Sequence, residues 1–170
     1  LNRKCIDGQR SMMVELTAHP SSKQVERLGG FQDAQAMVLI ETVKQLQDAG
    51  IDPDYWVVEP PNNQIAASAI TAQAYLDGRE KTSVLFATGS DPDPSDDLNY
   101  PSGDEEKVAI LAARMSGVSG LVMGPKIYFS QLAQLYQNII TREEAIDSIA
   151  KRMHSLYRIY LKAQITSDIS

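Results

Sequence analysis

Short apolar runs alternate with longer amphipathic segments along this chain, and that alternation limits the fold more than any other feature. Residues 12–18, 55–59, 83–88 and 120–123 read as strands. Each run is brief and almost continuously apolar, the pattern of strands covered on both faces of a parallel sheet. Helical spacing fills the intervals. Residues 32–49 place Ala36, Leu39, Ile40, Val43 and Leu46 on one stripe, and Gly50 follows as a stop. Residues 63–76 show Ile65, Ala69, Ala72 and Leu76, with Gly78 after them. Residues 104–116 open on a capping-box pair, Ser102 with Glu105, and end at Gly117. A shorter helix is expected over 129–137. The last begins at a second capping box, Thr141 with Glu144, and runs through Ile146, Ile149, Met153, Leu156 and Tyr160.

Strand followed by helix, four times over, implies right-handed crossovers and a parallel sheet. Two α/β architectures satisfy this. One is the TIM (βα)8-type barrel, of which the chain supplies about four βα units. The other is a small flavodoxin-like parallel sheet. A full barrel needs about 250 residues, so 170 residues amount to roughly half of one. No repeat or low-complexity linker divides the chain, and residues 1–170 are expected to form a single domain. The chain starts at Leu1 without Met, so it is expected to be the C-terminal half of something longer. Half a barrel leaves two unpaired sheet edges, a liability that folded proteins cover. The expectation is therefore a homo-oligomer, or completion by a missing N-terminal half.

Composition narrows the partners. The formal charge is −6, from 16 Lys and Arg against 22 Asp and Glu, and no basic patch is visible. That argues against a nucleic-acid partner. Hydrophobic residues make up 43% of the chain and mean hydropathy is −0.25, yet no apolar run approaches the roughly 20 residues of a membrane span. The single cysteine, Cys5, excludes an intrachain disulfide and fits a reducing compartment. With no signal peptide before the first strand, the expected location is cytoplasmic.

In both architectures ligands bind at the carboxyl ends of the strands. The first candidate strand carries Glu15, and the second ends Glu59-Pro60-Pro61-Asn62-Asn63. The third ends Thr88-Gly89-Ser90 and the fourth Gly124-Pro125-Lys126. A carboxylate buried in an apolar strand without a partner costs several kcal/mol, so Glu15 and Glu59 each need a partner or a task. Proton transfer or the orientation of substrate hydroxyls is one task; pairing with a nearby Arg or Lys is the structural alternative. Gly89, Ser90 and Gly124 offer backbone N–H groups and Lys126 a charge, the ingredients of a phosphate site. The same glycines also serve simple tight turns. His19, His154 and Cys5 show no metal-ligand spacing, and no metal or other cofactor is expected. The acidic stretch Asp91 to Asp97 lacks the glycine and terminal glutamate of a calcium loop and reads as a solvated lid.

Taken in series, the segments Val14-Glu15-Leu16, Asp54 to Pro61, Phe86-Ala87-Thr88-Gly89-Ser90 and Gly120 to Tyr128 resemble the second half of a class I aldolase barrel. The chain is similar to tagatose 1,6-bisphosphate aldolases. It is also similar to the aldolase-like domain fused to a sugar kinase in myo-inositol catabolism proteins, associated with cleavage of 2-deoxy-5-keto-gluconate 6-phosphate. Gln47 to Trp56 and Ile140 to Ala145 look most like that second group.

The resemblance implies a lyase of carbohydrate catabolism acting on a phosphorylated sugar or sugar acid. It assigns proton transfer to Glu15, one phosphate to Gly89-Ser90 and another to the turn at Gly124. It also puts a Schiff-base lysine, the electron sink for C–C cleavage, on the strand at 55–59. That position holds Val57, which forms no imine, and the arginine of the last turn is replaced by Pro125 with Lys126 beside it. Two functions follow. In one, the chain is an aldolase-like lyase using Glu15, Glu59 and a lysine from elsewhere, such as Lys126. In the other, it is a catalytically degenerate domain for sugar-phosphate binding or assembly.

Overall fold

The structure, a computed structural model, describes residues 2–88 and 103–167. After a short helix α1 (Asn2–Asp7), the chain runs β1 (Met13–Leu16), α2 (Ser22–Leu28), α3 (Phe31–Asp48), β2 (Tyr55–Val58) and α4 (Gln64–Tyr75). Then follow β3 (Ser83–Thr88), α5 (Gly103–Arg114), β4 (Val118–Met123), α6 (Phe129–Tyr136) and α7 (Arg142–Ser167). All four strands expected from the apolar runs are present, and they form one parallel sheet in the order β1-β2-β3-β4. Contacts divide the chain into two compact units, Leu1–Phe86 with Met115–Gly120 and Ala87–Arg114 with Leu121–Ser170.

In the first unit, Met13 to Leu16 pair with Tyr55 to Val58, which pair in turn with Ser83 to Phe86. The residues just before the strands fix this register. Asp54 N donates to Met12 O at 2.9 Å and Ser83 N to Asp54 O at 2.9 Å, while the Asp54 carboxylate accepts from Met12 N at 2.6 Å. Thr82 Oγ1 closes the set by donating to Pro53 O at 2.8 Å.

Alternation along the strands gives the sheet two unequal faces. Trp56, Val58, Val84 and Phe86 share one face and are all buried. On the other, Val57 is buried, Tyr55, Ser83 and Leu85 are half-buried, Glu15 is exposed and Met13 is 54% exposed. The expectation of burial on both faces therefore fails at β1, which among the described residues is an edge strand with a neighbour on one side only.

Helix α3 buries Ala36, Leu39 and Val43 as its spacing predicts, and adds Ala34 and Gln47. Helix α4 turns the other way. The expected stripe of Ile65, Ala69, Ala72 and Leu76 is exposed, with Ile65 at 84%, and the buried side is Ala67, Ile70, Thr71 and Ala74. The helix is Ala-rich and apolar most of the way round, so its pattern barely distinguishes the two sides. Contact with α3 decides. Gln47 Nε2 donates to Gln73 O at 3.3 Å and Ala74 O at 3.1 Å, and Gln73 Nε2 returns a bond to Gln47 Oε1 at 3.0 Å. Helix α2 was not signalled by apolar spacing, but its ends are written in the sequence. Ser21 and Gln24 form a capping box, and Gly29 closes the helix at φ 81°. Gly117 allows a closer approach: at φ 89° its Cβ would lie 2.9 Å from the Tyr75 ring.

In the second unit α5 packs along α7. Ala109, Ile127 and Leu156 form its core, joined by Leu121, Met123, Ile149, Ile159 and Tyr160. Glu105 is not placed as a surface cap. Its carboxylate is 1% exposed and accepts from Arg152 Nη2 at 2.8 Å, while the expected partner Ser102 lies outside the described residues. The capping box at α7 forms as predicted, with Glu144 N donating to Thr141 Oγ1 at 3.2 Å and Thr141 N to Glu144 Oε2 at 2.8 Å. Those bonds from Thr141 hold the Glu144 carboxyl below the ordinary glutamate range.

Candidate functional site

The carboxyl end of β2 carries the best-organised polar group among the candidates. Glu59 directly follows the strand and precedes Pro60, which disfavours helical backbone at the residue before it. Its Oε2 accepts from Ala18 N, just beyond β1, at 3.2 Å and from Gln35 Nε2 on α3 at 2.7 Å. Its Oε1 makes no hydrogen bond among the described residues. Two donors on one oxygen fix the carboxylate while the other oxygen keeps its lone pairs. That arrangement can orient a hydroxyl or accept a proton. Nearby, Asn62 donates to Gln32 Oε1, and Asn63 Oδ1 caps α4 by accepting from Ala66 N at 2.9 Å. Thus Gln32 and Gln35, in the first turns of α3, hold the loop that Glu59 opens. Sequence reasoning missed both glutamines, because a glutamine beside an apolar stripe looks like any surface residue.

Glu15 stands opposite Val57 in the β1–β2 register. It is exposed, so the cost of burying a carboxylate does not apply to it, and its role rests on position alone. Val57 is 1% exposed and fills the imine position with a branched aliphatic side chain.

The expected phosphate turn is more constrained than its glycines implied. Gly124 N donates to Thr88 O at 3.1 Å and approaches Thr88 Oγ1 at 3.3 Å, so that N–H is already committed. Lys126 lies half-buried in the 3-10 turn Pro125–Ile127. Gly89 and Ser90 lie outside the described residues, as does the acidic stretch 91–97. Among the described residues no three His, Cys, Asp or Glu side chains are gathered as a metal site. No described helix is long and apolar enough to cross a membrane.

The sequence matches no protein-family model, and no curated protein matches it.

Proposed function

We propose that this chain is an aldolase-like domain of barrel type that binds a phosphorylated sugar or sugar acid at the carboxyl ends of its strands, without Schiff-base chemistry at Val57. The observation that carries this reading is Glu59, braced through one oxygen by Ala18 and Gln35, with its other oxygen making no hydrogen bond among the described residues. Glu15, exposed on the neighbouring strand, supplies a second carboxylate for the sugar's hydroxyls. The consecutive strand order supports the barrel reading, since doubly wound sheets reverse order at a switch point. By resemblance, the phosphate falls to Gly89, Ser90 and Lys126. The degenerate reading is preferred over an active lyase because a valine supplies no electron sink.

Borohydride reduction in the presence of keto-sugar phosphates tests the chemistry, and thermal shift tests the binding. The expected result is no covalent adduct on any lysine, with a rise in Tm from a phosphorylated sugar that Glu59→Gln diminishes. A ligand at a hundredfold excess over its Kd stabilises by about 2.7 kcal/mol, well within detection. A trapped adduct on Lys126 or another lysine would establish an active lyase instead. If no sugar phosphate raises Tm, the binding reading fails.

A further inference from the structure

Helix α7 carries more apolar surface than the core of its own unit uses. Its buried side is Ala145, Arg152, Leu156 and Ala163, with Ile149, Ile159 and Tyr160 packed beside them. Ile146, Met153, Tyr157, Leu161 and Ile165 form a separate stripe, each between 37% and 64% exposed. At the turn angle of an α-helix this stripe lies roughly a third of a turn from the buried side. A single apolar side chain in solvent is ordinary, but five along one helix mark a contact surface.

The charges that border the stripe are segregated. Along its outer edge lie Glu143 and Asp147 near the start of the helix, then His154, Arg158 and Lys162 further on, all of them exposed. From Lys151 to Ser167 the helix has no acidic residue. Within one helix, opposite charges support each other at spacings of three or four. Lys151 pairs in this way with Asp147 at 2.6 Å, but Arg158 and Lys162 have no carboxylate three or four residues to either side within α7. The segregation therefore does little for the helix alone.

A second copy of α7 accounts for both the stripe and the charges. Antiparallel pairing about a two-fold axis lays the stripe on itself and sets like edges side by side, end for end. The acidic start of one helix then faces the basic remainder of the other. With the axis passing between Arg152 and Met153, Glu143 lies opposite Lys162 and Asp147 opposite Arg158. In the same register Ile146 enters between Tyr157 and Leu161 of the second copy. A parallel pair would leave the two charged edges on opposite sides of the seam, with no use for their polarity.

We propose that α7 is the contact helix of a two-fold dimer, its exposed stripe packed antiparallel on that of a second copy, with the bordering charges setting direction and register. A seam about 39 Å long and about 10 Å wide gives on the order of 400 Å² per copy, the size of a weak, reversible dimer rather than an obligate one. Every residue used lies on α7, so the inference is independent of the sugar-phosphate reading.

Sedimentation equilibrium measures the association, and cysteine cross-linking measures its direction. Tyr157→Glu, at an exposed position, should weaken the dimer about a hundredfold. Arg158→Glu should weaken it about tenfold, and adding Asp147→Lys should recover most of that loss, because the facing positions then exchange signs. In a Cys5→Ser background, which removes the only native cysteine, Met153→Cys beside the axis should oxidise to a covalent dimer. Lys162→Cys should not, since its two copies lie about 28 Å apart along the seam. A monomer at every accessible concentration overturns the proposal and leaves the stripe to a different protein or a lipid surface. A dimer that Tyr157→Glu leaves intact also overturns it, by placing the contact elsewhere in the chain. Equal cross-linking at 153 and 162, or no recovery on adding Asp147→Lys, rejects the antiparallel register and the proposal with it.

Discussion

Arg152 and Glu105 stand 47 residues apart in the chain and meet through a 2.8 Å hydrogen bond, with side chains 0% and 1% exposed. Neither residue looks internal in the sequence. Arg152 falls between Lys151 and Met153 on a helix rich in charge, and Glu105 reads as an N-terminal capping residue. Removing one member of a buried pair strands the other's charge in the interior, at a cost of about 3–5 kcal/mol, whereas replacing both with apolar groups is often close to neutral. Arg152→Met should therefore lower unfolding free energy by about that amount in urea denaturation, and adding Glu105→Leu should recover most of the loss. A double variant no more stable than Arg152→Met alone would show that the pair is not the source of the effect. Glu59 makes the same point at the candidate site: its residue type was legible, but the bonds from Ala18 and Gln35 that give it a direction were not.

Among the elements, α4 is where local pattern and tertiary contact disagree most. Alanines at 66, 67, 69, 72 and 74 leave the helix with little to choose between its sides. Ile65 and Ile70 both look like core residues, yet one is 84% exposed and the other 1%. Truncating them separates the two choices. Ile70→Ala should cost about 2–5 kcal/mol in chemical denaturation, and Ile65→Ala no more than about 0.5 kcal/mol. The reverse order would restore the stripe predicted from spacing. Helix α3 shows the opposite case: its five-residue stripe is clear enough to mark Leu39 and Val43 as core residues, and both are buried. The difference is contrast, since α3 carries charged and amide residues on its far side and α4 carries almost none.

For the molecule as a whole, the sheet ends at β1 and β4, and the face at β1 is open, with Met13 and Glu15 in solvent. An edge with unpaired backbone groups and an uncovered face favours association. Helix α7 independently exposes Ile146, Met153, Tyr157, Leu161 and Ile165, which recur at intervals of four and seven and so form one stripe. The chain alone should sediment as a dimer or larger species, and Met13→Lys on the open face should shift it toward monomer. A monomer at every accessible concentration would count against the barrel-type reading and favour the small open sheet.

The sequence by itself determined the succession of strands and helices, the parallel sheet that such a succession requires, the cap at Thr141, and the charge balance. These depend on periodicity and on residues close together in the chain, so they are written locally. Only the tertiary structure decided which side of α4 is buried, that Glu105 and Arg152 pair inside, that the Gly124 N–H is committed to Thr88, and that the Trp56 indole N–H is buried without a partner among the described residues. Each of these depends on groups far apart in sequence, where burial and hydrogen-bond satisfaction are settled by what the fold places opposite, and no spacing rule carries that information.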